Sequence, residues 1–443
     1  MKPREKAGLA QSHPLDFTLQ YPPRREYFQD CFAAPVDAAT GGDASQMLLY
    51  CHVPFCKAKC YYCNFAVDVR PDSALHRRYV DGLIRELQAA DALLATTQIP
   101  GIDIGGGTPT ILPTPELVRL IEALGPFKAR SRAAVPISIE TTPVIAANDM
   151  EKLQALAHAG VSRISMGLQS TNAETLRSVN RQDQEAVGMK ALENLLAAGF
   201  KRVSVDLIFA LPGQTREHWM LDLQRVVAMR PDAITTYDCL YRGKGRALTK
   251  RTGDKPTPEV YGELYDLAYE TLTAAGYHAA YGSVNFSLRK GETGTSAYFE
   301  GRLLDGLPYL GLGNYASSMY QDAWWFAPHG VNDWLRRLDA DEHFPVGNSY
   351  RLPIEEMAAK YLLLSLNFGF IDRVRFLYSF GRELRDSYGR ELDYAQRRGW
   401  LRRDGNRYYV KDGQFRNMPM IRSLFYSERA INWLQRYQHD LTK

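Results

Sequence analysis

Between about residues 46 and 240, short apolar runs alternate with segments whose apolar positions recur at helical spacing. The run QMLLYCHV reads as a buried strand, and residues 72–94 read as an amphipathic helix with Leu75, Tyr79, Leu83 and Leu87 at helical spacing. IPGIDIG is a second strand, running into Gly105-Gly-Gly-Thr-Pro-Thr110. A cap residue and a first-turn proline, Thr114-Pro-Glu116, open the next helix. VPISIE is a third strand, residues 148–159 a helix and VSRISMGL a fourth strand. Helices over 172–179 and 184–198, the strand RVSVDLIF, a helix over 214–229 and the strand DAITTYD complete the series. Strand then helix, six times over, calls for parallel strands joined by crossover helices, an α/β fold. Periodicity leaves a doubly wound sheet and an incomplete barrel both open. In either, functional loops lie at the C-terminal ends of the strands. Cys56–Cys63, Gly105–Thr110, Glu140, Gln169, Asp206 and Tyr237 all fall there.

The flanks lack this alternation. Residues 1–45, rich in Pro, Gly and charge, predict an arm without regular structure that carries one aromatic stretch, Tyr21 to Phe28. After about 245, residues 250–275 look helical and residues 281–345 are rich in Gly, Asn and aromatics. Residues 353–443 are mainly helix with a short basic hairpin, WLRRDGNRYYV. The division expected is an arm (1–45), an α/β core (46–245), a core extension and substrate-pocket region (246–349) and a helical C-terminal domain (350–443). With 45% hydrophobic and 23% charged residues, the 443-residue chain reads as soluble and globular, long enough for two to three domains. No apolar run approaches the roughly 20 residues of a membrane span, and the N-terminus lacks a signal-peptide segment, so a cytoplasmic location is expected. A net charge of +4 without a long basic block gives no reason to expect nucleic acid as a partner.

Cysteine changes the picture. Of six, four fall within thirteen residues, in Tyr50-Cys-His-Val-Pro-Phe-Cys56-Lys-Ala-Lys-Cys60-Tyr-Tyr-Cys63. In a reducing compartment such a cluster holds metal more often than disulfides. Three thiolates on a C-x3-C-x2-C loop can wrap three corners of an iron–sulfur cubane, leaving one iron open to a substrate. The competing reading is structural zinc, which closes its shell with four ligands. Cys51 or His52 would complete that shell only if the strand ended early. The three glycines at 105–107 let backbone N–H groups approach an anion or carboxylate. Glu140, at a strand end, can accept from an ammonium or a ribose hydroxyl, and Gln169 and Asp206 occupy equivalent positions.

These segments together resemble the radical S-adenosylmethionine (SAM) superfamily, and within it the clan of the oxygen-independent coproporphyrinogen III oxidase. LYCHVPFCKAKCYYCNF, GGGTPT, SIETTP, RISMGLQS, NRQ, VDLIFALPGQT and YLGLGNYAS stand in the clan's order and approximate spacing over roughly residues 46–320. The resemblance implies a partial (β/α)6 TIM-type barrel in which Cys56, Cys60 and Cys63 bind a [4Fe–4S] cluster. Its open iron would chelate SAM, whose reductive cleavage yields a 5′-deoxyadenosyl radical. It further implies that Tyr50, Gly106, Gly107 and Thr108 contact the methionyl part of a first SAM. Glu140, Gln169, Arg181 and Asp206 would contact the first or a second SAM. A low-potential electron donor of flavodoxin or ferredoxin type is implied as a partner.

Departures narrow the resemblance. The oxidase carries a fourth cysteine two residues beyond the third, where this chain has Phe65. The heme-chaperone branch carries a histidine-containing heme motif, and residues 284–298 here contain no histidine. What remains is similar to the class C radical SAM methyltransferases, which use two SAM molecules to methylate an sp² carbon of a planar aromatic. The arm LDFTLQYPPRREYF and the C-terminal RNMPMIRSLFYSERA resemble menaquinone C8-methyltransferases. The expected reaction is therefore methylation of the menaquinone ring, with a prenylated quinone as acceptor and at most peripheral membrane contact. A heme- or porphyrin-acting enzyme, oxidase-like or ring-opening, and a heme chaperone are the alternatives. Tyr237, Asp238 and Tyr281 are the candidate bases. Trp324, Trp325 and Phe326 are candidate quinone contacts, and the arm's Tyr21 and Tyr27 either lid the site or cover hydrophobic surface.

Overall fold

Within each barrel strand, apolar and polar residues alternate, and this alternation builds the architecture. The computed structural model describes the chain except residues 13–24, 70–71, 132–133, 182–184, 242–247, 249–255 and 442–443. In it β1 (Leu48–Val53), β2 (Ile102–Gly106), β3 (Ile137–Thr141), β4 (Arg163–Gln169), β5 (Arg202–Phe209) and β6 (Ala233–Asp238) lie side by side in chain order. Every neighbouring pair is parallel. Helices Ser73–Leu93, Thr114–Ala123, Met150–His158, Glu185–Ala197 and Arg216–Met229 form the crossovers. Because the order never reverses, the winding is that of a barrel segment; a doubly wound sheet turns back at a switch point.

The alternation sorts the two faces. Leu49, Cys51, Ile102, Ile104, Ile137, Ile139, Ile164, Met166, Val203 and Val205 are buried on the face covered by the helices. Register places Tyr50, Asp103, Ser138 and Arg163 in one tier of the other face. Gly105, Glu140, Ser165 and Ser204 form the next tier, and Gly167, Asp206 and Thr235 the one above. A sheet face lined with acids, hydroxyls and glycine cannot pack as an apolar core; it lines the barrel interior.

The flanks extend this sheet to eleven strands among the described residues. β7 (Asn285–Ser287) runs antiparallel beside β6. β8 (Tyr309–Leu312) runs parallel beside β1, followed by antiparallel β9 (Ser317–Tyr320), β10 (Ala323–Phe326) and β11 (Asn348–Arg351). These strands are three or four residues long, too short to carry a period. Trp324, Trp325 and Phe326 form β10 itself. Trp324 packs edge-on against Phe28 with ring centroids 4.9 Å apart, and Trp325 is buried. They are core residues of the extension rather than an open aromatic box.

The N-terminal region departs from expectation. Pro3–Ser12 and Arg25–Phe32 are helices, not an arm without regular structure. Both are short, and tertiary packing rather than local propensity holds them. Lys6 is buried and its ammonium donates to the carbonyls of Leu424 and Tyr426, each at 3.0 Å, and to Glu391 at 3.3 Å. Tyr27 is buried with its hydroxyl donating to Glu356 at 2.7 Å, so it covers hydrophobic surface and does not lid the site. Tyr21 lies outside the described residues. Among the described residues the C-terminal part has five α-helices and a three-stranded antiparallel sheet of β12 (Phe370–Asp372), β13 (Leu401–Asp404) and β14 (Arg407–Val410), the last two forming the basic hairpin. No described helix is long and apolar enough to cross a membrane.

Candidate functional site

The cysteine loop leaves the C-terminal end of β1 and is closed at its base. Cys56 N–H donates to the Asp68 carbonyl at 3.0 Å and Asp68 N–H to the Pro54 carbonyl at 2.8 Å. Its tip is tied to the segment after β4, where the Asn180 side chain donates to the Lys59 carbonyl at 2.8 Å and Tyr61 N–H to that of Val179 at 3.1 Å. The glycine loop is tied to the same base through Gly107 N–H to Val53 and Thr108 N–H to Phe55. A Cβ on Gly107 would lie 2.6 Å from the Phe55 carbonyl oxygen, so this approach requires glycine.

Cys56, Cys60 and Cys63 are half-buried on this loop. Burial pushes the Cys56 thiol up to about 11 against the Thr108 hydroxyl 3.5 Å away, and Cys63 and Cys60 add to the rise. Thiols that raise one another's proton affinity are near neighbours. Among the described residues no three His, Cys, Asp or Glu side chains close on a single ion. A cubane places its thiolates on three different irons, and a loop with three neighbouring thiols fits that demand. Cys51 is fully buried on the helix-covered face of β1, pointing away from the loop. His52 has both ring nitrogens engaged, Nε2 at 3.2 Å from the Ala66 carbonyl and Nδ1 at 3.4 Å from the Tyr50 hydroxyl. Burial pushes its imidazole down to about 4. Neither residue is placed to be a fourth ligand. Phe65 is 60% exposed.

Beneath the loop an acidic group faces the interior. Glu140 accepts from Gly106 N–H at 3.2 Å. A Cβ on Gly105 would meet Glu140 Oε1 at 2.7 Å and the Tyr50 hydroxyl at 3.2 Å. Burial, reinforced by Asp206 and Asp103, raises Glu140 to about 8 against Gly106 N–H and Arg163. Burial likewise raises Asp206, opposed by Arg163 and by the hydroxyls of Ser165 and Thr235. Gln169 sits at φ 70° after a register shift in β4, with its Nε2 within 2.6 Å of where a Gly167 Cβ would stand. Its buried Oε1 has no hydrogen-bond partner. Arg181 donates to the Tyr62 hydroxyl at 3.3 Å, near Gly167. The structure thus brings Tyr50, Gly106, Gly107, Thr108, Glu140, Gln169, Arg181 and Asp206 to one rim with the cysteine loop.

The candidate bases separate. Tyr237 joins the acids, but burial and its neighbours Asp206 and Glu140 hold its phenol far above the usual range, which makes it a hydrogen-bond donor and not a base. Asp238 is on the opposite face of β6, near Tyr261 and Cys239. Tyr281 lies away from the acids: its hydroxyl donates to Asp266 and accepts from Phe415 N–H at 3.2 Å, in the seam between Pro258–Ala274 and the C-terminal part. Two interior residues escaped the sequence reading. Asp103 is buried, accepts from Ser296 Oγ at 2.6 Å and is raised by burial to about 6. Arg163 is a cation that acts on Asp103, Glu140 and Asp206 alike. The available signal was a charged residue at an interior-facing position of an otherwise apolar strand.

Comparison with known proteins bears on this geometry. Residues 50–226 match the Radical SAM superfamily. The oxygen-independent coproporphyrinogen III oxidase of Salmonella typhimurium is 29% identical over 316 residues, 69% of this chain and 68% of that protein. The heme chaperone HemW of Bacillus subtilis is 24% identical over 367 residues, 82% of this chain and 94% of that one. The solved structure of coproporphyrinogen III oxidase (HemN) from Escherichia coli superposes with a TM-score of 0.72 at 23% identity, over 88% of this chain and 92% of that one. The fold is therefore the radical SAM α/β fold, with a parallel sheet and a helical C-terminal part, and the superfamily matched over residues 50–226 is one that implies a [4Fe–4S] cluster and SAM. Methylation of a menaquinone ring is overturned. The relatives that share the barrel and its flanks are porphyrinogen oxidases and heme chaperones. Of the segments that suggested a quinone, residues 15–24 lie outside the described residues, Arg25–Phe28 belong to the helix Arg25–Phe32, and residues 416–430 contain the helix Met418–Leu424.

Proposed function

We propose that this radical SAM protein acts on a tetrapyrrole, as an enzyme of the porphyrinogen-oxidising kind. The observation that carries the reading is the identity of the relatives matched across barrel and flanks together. Cys56, Cys60 and Cys63 are the thiolate ligands, and their number leaves one corner of the cluster for SAM. When bound, the cluster supplies the electron that cleaves SAM reductively. Tyr50 and the backbone of Gly106–Thr108 hold the methionyl part, and Glu140 accepts from its ammonium or from the ribose. Binding of that cation favours the ionised form of Glu140, against the burial that raises it.

Gln169, Arg181 and Asp206 receive a second SAM. The unpartnered Oε1 of Gln169 supports this placement, since a buried acceptor without a donor costs free energy until a ligand supplies one. Tyr237 positions substrate by donating its hydroxyl. An acidic flavodoxin or ferredoxin delivers the electron to the cysteine loop, whose exposed Lys57 favours such a partner.

A second reading, a heme chaperone, is favoured by the extent of the Bacillus subtilis match and by Phe65 standing where the oxidase pattern has cysteine. One anaerobic experiment separates the two. The cluster is reconstituted, and SAM and dithionite are added with coproporphyrinogen III or with heme. Porphyrinogen consumed in step with 5′-deoxyadenosine supports the enzyme. Stoichiometric heme binding without product assigns the chaperone role instead. Neither consumption nor binding of any tetrapyrrole would falsify both readings.

A further inference from the structure

We propose that Arg302 and Lys360, facing Tyr309 from two sides, form a carboxylate-binding subsite at the β1–β8 edge of the barrel that takes an acidic side chain of the tetrapyrrole. The inference rests on the tetrapyrrole reading above.

Three segments distant in sequence build the subsite: Ala297–Leu303, β8 and the helix Ile354–Ser365. Lys360 is 6% exposed. Its ammonium meets the Tyr309 hydroxyl at 3.4 Å and the Met319 sulfur at 3.4 Å, and lies 5.2 Å from the centroid of the Trp324 ring. The Arg302 guanidinium lies 4.4 Å from the Tyr309 ring centroid and 6.0 Å from that of Tyr298. Among the described residues neither cation forms an ion pair with a carboxylate. Arg302 Nε and Trp324 Nε1 are buried donors without partners.

The chain neutralises a buried lysine elsewhere. Lys6, equally buried, has two carbonyls and Glu391 around its ammonium. Lys360 has a phenol and a thioether. The acid that acts on Arg302 is Asp103, which accepts from Ser296 Oγ at 2.6 Å and, among the described residues, forms no ion pair with the guanidinium. Two neighbouring positive charges removed from water without a full counter-charge are costly, and an anion arriving from outside relieves that cost. The local field agrees. Burial alone raises a phenol, yet Lys360 and Arg302 together lower Tyr309 below the ordinary range. A negative charge is favoured at this spot.

The place suits a large planar ligand. Tyr298 lies between Tyr50 and Tyr309, with centroid separations of 5.5 and 6.4 Å, so aromatic rings connect the subsite to the rim where Tyr50 meets Glu140. Carboxylate arms at the edge of a macrocycle would reach cations that its ring, held nearer the rim, does not touch.

The test compares free acids with their methyl esters: coproporphyrin III against its tetramethyl ester and heme against its dimethyl ester. Each is titrated optically into the reconstituted protein and into Arg302→Gln and Lys360→Met. The expected result is that the acid binds at least tenfold more tightly than its ester. Each substitution should weaken the acid about tenfold while leaving the ester unchanged. Thermal midpoints supply a second readout. A cation kept for a ligand destabilises the free protein, so Lys360→Met should melt at or above the parent temperature. Acid and ester binding equally, with the variants unchanged, would overturn the subsite and leave the tetrapyrrole reading intact. A lower melting temperature with unchanged affinity would likewise make Lys360 structural. If no free acid or ester binds, the reading and the subsite fall together.

Discussion

The two ends of the barrel interior carry opposite charge. Under the cysteine loop stand Glu140, Asp206 and Asp103, with Arg163 moderating all three. At the β1–β8 edge stand Arg302 and Lys360, with Tyr309 between them. Both groups are removed from water, and in both, burial works against the charged form. An acid-lined end suits a sulfonium nucleotide with its ammonium and hydroxyls, and a cation-lined end suits carboxylates. The interior thus carries acids toward the cysteine loop and cations toward the β1–β8 edge, with Asp103 acted on by both Arg163 and Arg302; on the proposals above, the two sides would favour two unlike ligands.

The comparison breaks most sharply at the loop. Cys56→Ala, Cys60→Ala or Cys63→Ala should each abolish the brown chromophore and reduce 5′-deoxyadenosine to background, while tetrapyrrole affinity falls less than threefold. Iron analysis, product quantitation and optical titration check this. Full iron content in any of the three would remove the cluster from this loop, and loss of tetrapyrrole binding as well would show that the two ends are not independent.

Next in size is the acidic end itself. Glu140→Gln keeps the shape and removes the charge, and it should weaken SAM about thirtyfold or more, the range for truncating one partner of a desolvated charge pair. Iron content should remain at the parent level. Asp206→Ala and Gln169→Ala should lower tetrapyrrole turnover more than uncoupled SAM cleavage, as loss of a second SAM requires. Equal losses would put that second molecule elsewhere.

A smaller effect is expected from the glycine loop. Gly106 stands at φ +115°, and a Cβ there would meet the His52 ring at 2.4 Å. Gly106→Ala should destabilise the protein by about 1–3 kcal/mol through a strained backbone and a displaced imidazole. It should also move the N–H that Glu140 accepts, so SAM affinity falls while the cation-lined end keeps its acid-over-ester preference. A melting curve and the two titrations measure both parts.

The two ends differ equally in how far they can be read from the sequence. Glu140 and Asp206 were legible because each stands on a strand with a strong local pattern whose C-terminal end faces the rim, although Asp206, expected at a strand end, lies within β5. Glu140 after ISI and Asp206 after RVSV need no tertiary information to be placed. Asp103 in β2 and Arg163 at the start of β4 sit away from the rim, where attention to loop ends alone misses them. The cationic end was not legible. Arg302 is on a seven-residue helix, Tyr309 begins a four-residue strand and Lys360 follows in a helix some fifty residues later. None carries a motif, and only long-range pairing of β8 with β1 brings them together. The two N-terminal helices were missed for a related reason: their stability comes from carbonyls and aromatics hundreds of residues away.

The mildest test uses a buried acid outside the interior as a reference for both ends. Glu86, on the helix Ser73–Leu93, accepts from Gly313 N–H at 2.6 Å and from Trp334 Nε1 at 3.1 Å. Burial raises it to about 8 against those two donors. In the unfolded chain the same group titrates in the ordinary carboxylate range, near 4.5. The folded state therefore binds the proton more tightly. The resulting stabilisation is fully present below the unfolded value and is lost as pH rises through about 8. The melting temperature of the parent should thus fall between pH 6 and pH 9. Glu86→Gln has no proton to lose and should show a fall smaller by a few degrees, after costing about 1 kcal/mol at pH 6 for the one donor that an amide cannot satisfy. Glu140→Gln should flatten the same slope in the free protein, because Glu140 is raised by the same cause. Lys360→Met should act in the opposite sense. Burial lowers the lysine, so its folded state gains stability as pH rises, and removing it steepens the decline. Parallel slopes for all three variants would mean that the interior is not polarised in the way its side chains imply.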